Sequence, residues 1–210
     1  MNTSSSRLIR SLVEEHEVIL KVLASLARFA QSATTQDLTL RAALARYVDF
    51  CRGFVDNVHH GKEEDLLFVR MCEAGFPREA GPVAVMLEEH EDGRKAVAAL
   101  AELAHGEGAF RDDELPALRA HVGSFTNLLS RHIAKENNVL YPMALRSLPE
   151  SSIEALDRQG LAFDDERAAE RDRFLRFARA VEKAPLTPGQ TEPTPAHRGI
   201  TGARAGGGAS

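Results

Sequence analysis

Two stretches of this chain repeat one chemical phrase. The first is His59-His60-Gly61-Lys62-Glu63, closed by Leu67-Phe68. The second is His132-Ile133-Ala134-Lys135-Glu136, closed by Leu140-Tyr141. In each, a carboxylate follows a histidine by four residues, and residues i and i+4 lie one above the other on a helix face. Each phrase therefore aims an imidazole and a carboxylate at one inward point. Two more histidines, His16 and His90, fall on the apolar stripes of other segments. Carboxylate plus imidazole is the ligand mixture that non-haem iron, manganese and zinc accept.

These residues need helices to carry them. Segment 7–31 has apolar residues at Leu8, Ile9, Leu12, Ile19, Leu23 and Leu26, with Ser6 placed to cap it. A second helix, about 38–73, carries Leu44, Val48, Cys51, Val55, His59, Glu63 and Leu66 on one face, with Asp37 as its cap. Gly75, Pro77, Gly81 and Pro82 break the chain. A third helix, about 83–104, has Met86, His90, Gly93 and Val97 on its stripe. The fourth, about 112–147, has Leu118, Val122, Phe125, Leu129, His132, Glu136 and Leu140. A charged fifth helix is expected over about 151–182. Residues 184–210 are rich in proline and glycine and too poor in large apolar groups to offset ordering, so a disordered tail is expected. The pattern predicts an all-α fold: an antiparallel up-down-up-down four-helix bundle over 1–148, an accessory helix over 149–183, and the tail.

In an antiparallel pair, residues equally far from the connecting loop share a height. Counted this way, His16, His59, His90 and His132 fall at one level to within roughly two turns. A lone histidine on an apolar face is usually a core residue with a satisfied hydrogen bond. Four at one height, two with a carboxylate at i+4, fit a metal better, because an unpaired buried Glu63 and Glu136 would be costly. Six donors from four helices exceed what one divalent ion needs, so the set suits a pair of ions bridged by Glu63 and Glu136. Zinc prefers simpler four-ligand sets, which favours iron. The Glu-x-x-His pattern of ferritin-type carboxylate sites is absent.

Composition sets the surroundings. The chain has 210 residues, 43% of them hydrophobic, with a net charge of −5 and mixed signs. That is ordinary for a globular protein and gives no nucleic-acid footprint. No apolar run approaches the roughly 20 residues that span a membrane, and the first residues lack the apolar core of a secretory signal. A cytoplasmic protein is expected. Cys51 and Cys72 lie on the second helix, roughly 30 Å apart along its axis, and so cannot pair.

The residues now gathered resemble the hemerythrin-like, or HHE cation-binding, domain. They are Glu15-His16, His59-His60-Gly-Lys-Glu63-Glu64 with Leu67-Phe68, Glu89-His90 with Arg94, and His132-Ile-Ala-Lys-Glu136 with Leu140-Tyr141-Pro142. The resemblance covers about 7–147. It implies a four-helix bundle around an oxo- or hydroxo-bridged di-iron centre, with His16, His59, Glu63, His90, His132 and Glu136 at the ligand positions. Oxygen-carrying hemerythrins have a second histidine four positions after the third-helix one, where this chain has Arg94. They have an aspartate where it has Asn137. Reversible oxygen carriage is therefore not the expected role. His60 is placed either to supply the missing donor or to hydrogen-bond behind the ligands. An α-helical projection turns it about 100° from His59, with Glu64 beside it at the edge of the site.

The expected function is a non-haem di-iron protein binding oxygen or a related small oxidant, for sensing, storage, or handling of peroxide or nitric oxide. Whether it turns over as an enzyme is open, as is its oligomeric state. Two alternatives stand beside it: an iron-storing or iron-donating protein, and a metal-free helical interaction module. Among the remaining residues, His121 is expected to be a core histidine near Tyr47. Arg94 and Lys95 read as rim charges. Phe68 and Tyr141 read as core. Gly93 either leaves space for a small ligand or permits close helix packing, the plainer reading.

Overall fold

The computed structural model describes residues 6–183. The tail expected over 184–210 lies outside the described residues. Every regular element among them is helical. Six helices are present: α1 (Arg7–Ser32), α2 (40–73), α3 (Gly81–His105), α4 (114–147), α5 (Glu150–Glu166) and α6 (Ala168–Lys183). Helix α1 packs on α4, α2 on α3, and α3 on α4. Helix α5 lies against α1 and the Glu63–Leu67 part of α2, and α6 against α1 and the Cys51–His60 part.

The helix ends follow local chemistry. Ser6 accepts from the Ile9 N–H as an N-cap. Asp157 of α5 also accepts from Ser6 Oγ at 2.6 Å and from the Leu8 N–H at 3.0 Å, so a distant helix helps to cap α1. Asp37 instead closes a turn, accepting from both Thr39 N and Oγ1, and α2 begins at Leu40. Pro82 sits in the first turn of α3, where its missing N–H costs no helical bond.

Two hydrophobic layers sandwich a polar one. One layer holds Ile19 to Ala33 of α1, Leu40 to Val55 of α2, Val97 to Ala101 of α3 and Leu115 to Ile133 of α4. The other holds Leu8 to Leu12, Leu67 to Met71, Val83 with Met86, and Leu140 to Ala144 from the same four helices. Between the layers the interior is lined by Glu15, His16, His59, His60, Lys62, Glu63, His90, His132 and Glu136, all buried. The shared height expected of the histidines is thus the gap between the two layers.

Two departures from regular expectation matter. Helix α2 is π-helical over Cys51–His60 and Glu63–Leu67, and α4 over Glu136–Leu140. The backbone N–H groups of Gly61, Phe68 and Tyr141 reach back five residues, to Asp56, Glu63 and Glu136. Such wide turns are rare and concentrate at functional sites. They shift the stripe: Leu67 is fully buried where an α-helical count favoured Leu66. Second, the expected fifth helix is two helices that part at Arg167. The apolar residues fall into two groups, Leu156 to Phe163 and Phe174 to Val181, and the groups dock on different parts of α2.

Two glycines of α2 admit this accessory pair. A Cβ on Gly53 would lie 2.0 Å from the Phe174 ring, and one on Gly61 would lie 2.9 Å from that of Phe163. Only hydrogen at these positions lets the rings seat. Cys51 and Cys72 are both free. No helix among the described residues is long and apolar enough to cross a membrane.

Candidate metal centre

The seven residues singled out from the sequence converge. His16, His59, Glu63 and Glu136 each bring one ligand atom to within 4.8 Å of the others, and so do His60, Glu63, His90 and His132. Glu63 belongs to both groups. Glu136 also reaches both: its Oε2 lies 3.1 Å from His16 Nε2 and its Oε1 3.0 Å from His132 Nε2. His90 Nε2 stands 3.4 Å from Glu63 Oε2, and His59 Nε2 stands 3.7 Å from it.

His60 is where the π turn tells. The α-helical projection put it at the edge, yet it is buried, and its ring stacks on that of His90 at 3.7 Å. A turn closed by i→i+5 bonds holds more residues than an α turn, so adjacent side chains diverge less. His59 and His60 both face inward, one toward each group. Glu64, the edge partner, stays partly exposed and accepts from His90 Nδ1 at 2.7 Å.

Every imidazole is held from behind through Nδ1. His16 donates to Asn137 Oδ1 at 2.8 Å, and His59 to Glu15 at 3.1 Å. His60 contacts Asp56 at 3.3 Å, and His132 contacts Glu89 at 3.0 Å. A carboxylate only accepts, so these contacts place the Nδ1 proton outward and the lone pair of a neutral ring at Nε2, facing inward. This is how metal-binding histidines are held. Each of the carboxylates is matched by a cation: Lys62 on Glu15, Arg94 on both Asp56 and Glu64, and Lys135 on Glu89.

The interior is not self-sufficient. His60 Nε2, Glu63 Oε2 and both oxygens of Glu136 are buried without a hydrogen-bond partner. All four atoms face the same space. Such orphans are costly in a dry core, and a cation among them would satisfy every one. The mixed nitrogen and oxygen donors suit iron, manganese or zinc.

Electrostatics without a metal reflect this crowding. Burial pushes His59 well below its usual value and pushes His60 down to about 3, with the neighbouring His90 charge adding to the effect. Burial also opposes protonation of His16, His90 and His132, but the Glu136 carboxylate beside them, with Glu63, outweighs it. All three are raised, His90 to about 11. Glu136 is held well below its usual value by those same imidazoles, against its burial. In the metal-free fold these shifts favour protonated His16, His90 and His132 beside an ionised Glu136, and neutral His59 and His60.

Sequence reasoning left several contributors without a role. Tyr141, expected in the core, is buried but donates its hydroxyl to Glu63 Oε1 at 2.6 Å and stacks on His16. Its position closing the second phrase was the available signal. Glu15 and Glu89 each precede a histidine, and Lys62 and Lys135 hold the same place in the two phrases; that recurrence was legible but unread. Other expectations fail outright. His121 is exposed, and Tyr47 pairs with Ser25 at 2.8 Å. At Gly93 a Cβ would meet nothing within 4 Å, so close packing is not its purpose. It borders a cavity of about 450 Å³, also lined by Cys51, Val55, His60, Val97 and Phe125. Arg94 sits at the rim as expected.

Comparison with known proteins agrees with the geometry. Residues 7–144 match the hemerythrin HHE cation binding domain, and the chain belongs to that family. Helices α5 and α6 fall outside the matched region. Among curated proteins the chain is similar to the iron-sulfur cluster repair protein YtfE of Pectobacterium carotovorum subsp. carotovorum, 38% identical over 42% of this chain and 41% of that protein. It is similar also to YtfE of Musicola paradisiaca, 40% identical over 42% and 40%, and of Edwardsiella ictaluri, 28% identical over 63% and 60%. The chain thus spans about two fifths to three fifths of the length of these relatives. No solved structure matches it.

Proposed function

We propose that this chain is a non-haem di-iron protein that serves the repair of iron–sulfur clusters damaged by small oxidants, built on an antiparallel up-down-up-down bundle. The observation that carries the reading is the set of orphaned inward atoms on His60, Glu63 and Glu136, surrounded by imidazoles each fixed through Nδ1. His16 and His59 would hold one iron and His60, His90 and His132 the other, with Glu63 and Glu136 within reach of both groups. Iron held there would supply a redox-active Lewis acid.

The chain's own residues do the rest. The Nδ1 contacts fix each ring so that Nε2 needs no reorganisation. Tyr141 holds Glu63 through one oxygen and leaves the other inward. The two hydrophobic layers exclude water above and below. The cavity beside Gly93 ends on His60 and has room for a small neutral ligand, which supports handling of an oxidant such as nitric oxide, oxygen or peroxide at this centre. The names of the similar proteins support repair as the setting. The same names support a second reading, in which the bound iron is itself the cargo donated to a damaged cluster.

The test is reconstitution. The iron-loaded chain, mixed with an iron–sulfur hydro-lyase inactivated by nitric oxide or peroxide, should restore its activity beyond free ferrous salt at equal iron. Equal recovery with salt alone refutes the repair role. Loss of iron from the chain in step with recovery selects donation; retained iron selects oxidant handling.

A further inference from the structure

The centre is backed by one device built twice. In α1 and α2, Glu15 accepts from His59 Nδ1 and from Lys62 Nζ at 2.5 Å. In α3 and α4, Glu89 accepts from His132 Nδ1 and from Lys135 Nζ. The residues correspond: each glutamate precedes a histidine, and each lysine follows the histidine of a His-x-x-x-Glu phrase by three. Their surroundings do not correspond. Lys135 is 40% and Glu89 20% exposed, whereas Lys62 is 0% and Glu15 1% exposed.

The accessory helices make the difference. Asp164 of α5 accepts from Lys62 Nζ at 3.0 Å, and Arg171 of α6 reaches Glu15 Oε1 at 3.5 Å. Phe163 lies on Gly61, next to Lys62, and Phe174 on Gly53. A lysine with no water around it must find its partners within the protein. Besides Glu15 and the Ser11 hydroxyl, Asp164 is the group that meets Lys62.

We infer that α5 and α6 form an integral part of the metal centre: Asp164, through Lys62 and Glu15, positions His59 and thereby governs how firmly the His16/His59 half of the centre keeps its ion. The inference rests on the di-iron reading above and assigns a role to a segment outside the matched family region. Without Asp164, Lys62 would turn toward solvent, Glu15 would follow it or lose its cation, and His59 would lose its fixed orientation. The other half is anchored by Asp56, Glu64, Glu89, Arg94 and Lys135, whose hydrogen bonds named here run to one another and to His60, His90 and His132 and not to α5 or α6. Asp164 is thus a positioning residue for one ion of the pair.

The full chain loaded with ferrous iron alone and challenged with a chromogenic ferrous chelator tests this. In Asp164→Asn and Asp164→Ala, one iron per chain should leave faster than in the wild type, by up to roughly the 10- to 100-fold that losing a ligand's direct hydrogen-bond partner costs in affinity. The other iron should leave at the wild-type rate. Asp164→Glu should restore retention. Arg173→Ala breaks an exposed contact of α6 with Asp49 and should change neither rate. With His16→Ala already removing the first ion, adding Asp164→Asn should leave release of the second unchanged. Unaltered release in Asp164→Ala overturns the inference, as does equal acceleration of both ions, which would mean general loosening. A chain that takes up no iron overturns the di-iron reading and this inference together, whereas two irons insensitive to Asp164 overturn this one alone.

Discussion

The α1/α2 half and the α3/α4 half of this molecule run the same motif in opposite environments. Both set a glutamate behind a histidine and a lysine behind the glutamate. In the α3/α4 half the pair lies at the surface, where water can replace either partner and an ion pair contributes little. In the α1/α2 half two extra helices cover it, and each partner depends on the other. The difference teaches that a repeated sequence phrase fixes chemistry but not its energetic weight. That weight is set by what the rest of the chain lays over it.

The largest expected effect removes what the halves share. Glu63→Ala takes away the carboxylate common to both groups and should abolish iron loading. His16→Ala and His90→Ala should each remove one iron, from opposite halves, as read by metal analysis of the purified variants. His60→Ala should behave like His90→Ala; if it loaded fully, the inward turn of His60 would be without consequence.

Next comes the pair of lysines. Lys62→Met leaves the buried Glu15 with Arg171, at 3.5 Å, as its remaining side-chain cation, and a broken buried pair costs about 3–5 kcal/mol. Lys135→Met at the exposed copy should cost less than about 1 kcal/mol. Denaturant unfolding of the metal-free proteins measures both, and equal losses would erase the contrast between the halves.

Glycines give a smaller contrast. Gly53→Ala drives a methyl into the Phe174 ring and should cost about 1–3 kcal/mol by overpacking. Gly93→Ala meets open space and gains helix propensity, worth about 1 kcal/mol. A bulkier Gly93→Leu should slow binding of azide or nitric oxide to the loaded protein without lowering its iron content.

The pH dependence has a definite sign. His16, His90 and His132 are raised above 6.5 in the metal-free fold. Their protonated forms stabilise that fold fully below 6.5, and the contribution is lost as pH rises through the raised values, about 11 for His90. Metal must displace those protons, so uptake at pH 7 should acidify an unbuffered solution, and affinity should rise with pH. Asp56 and Glu64 are lowered to about 2 by their contacts with His60, His90 and Arg94, against burial. Their contribution is present above the usual carboxylate range and disappears as pH falls toward 2, so acid should loosen the His60/His90 side. Titration with and without iron reads both effects.

Much of this was legible in the sequence, for identifiable reasons. The helices followed apolar periodicity, and the height of His16, His59, His90 and His132 followed from counting between loops. What resisted was whatever depended on local winding or distant contact. His60 stayed open between ligand and outer hydrogen-bonder because the i→i+5 turns over Cys51–His60 cannot be read from a 100° projection. Glu15 and Lys62 were given no role of their own, because what covers them, Phe163, Asp164 and Arg171, lies about a hundred positions or more away. The single charged helix expected after Pro149 proved to be two, since its apolar groups answer to two different stretches of α2.

The central claim is that two metal ions share Glu63 and Glu136. Iron analysis of the anaerobically loaded full chain, with Mössbauer spectra recorded on the same sample, tests it most directly. The account predicts two irons per chain, magnetically coupled and spectroscopically distinct, and none after Glu63→Ala. A single isolated iron, or two that persist when Glu63 is gone, would contradict it.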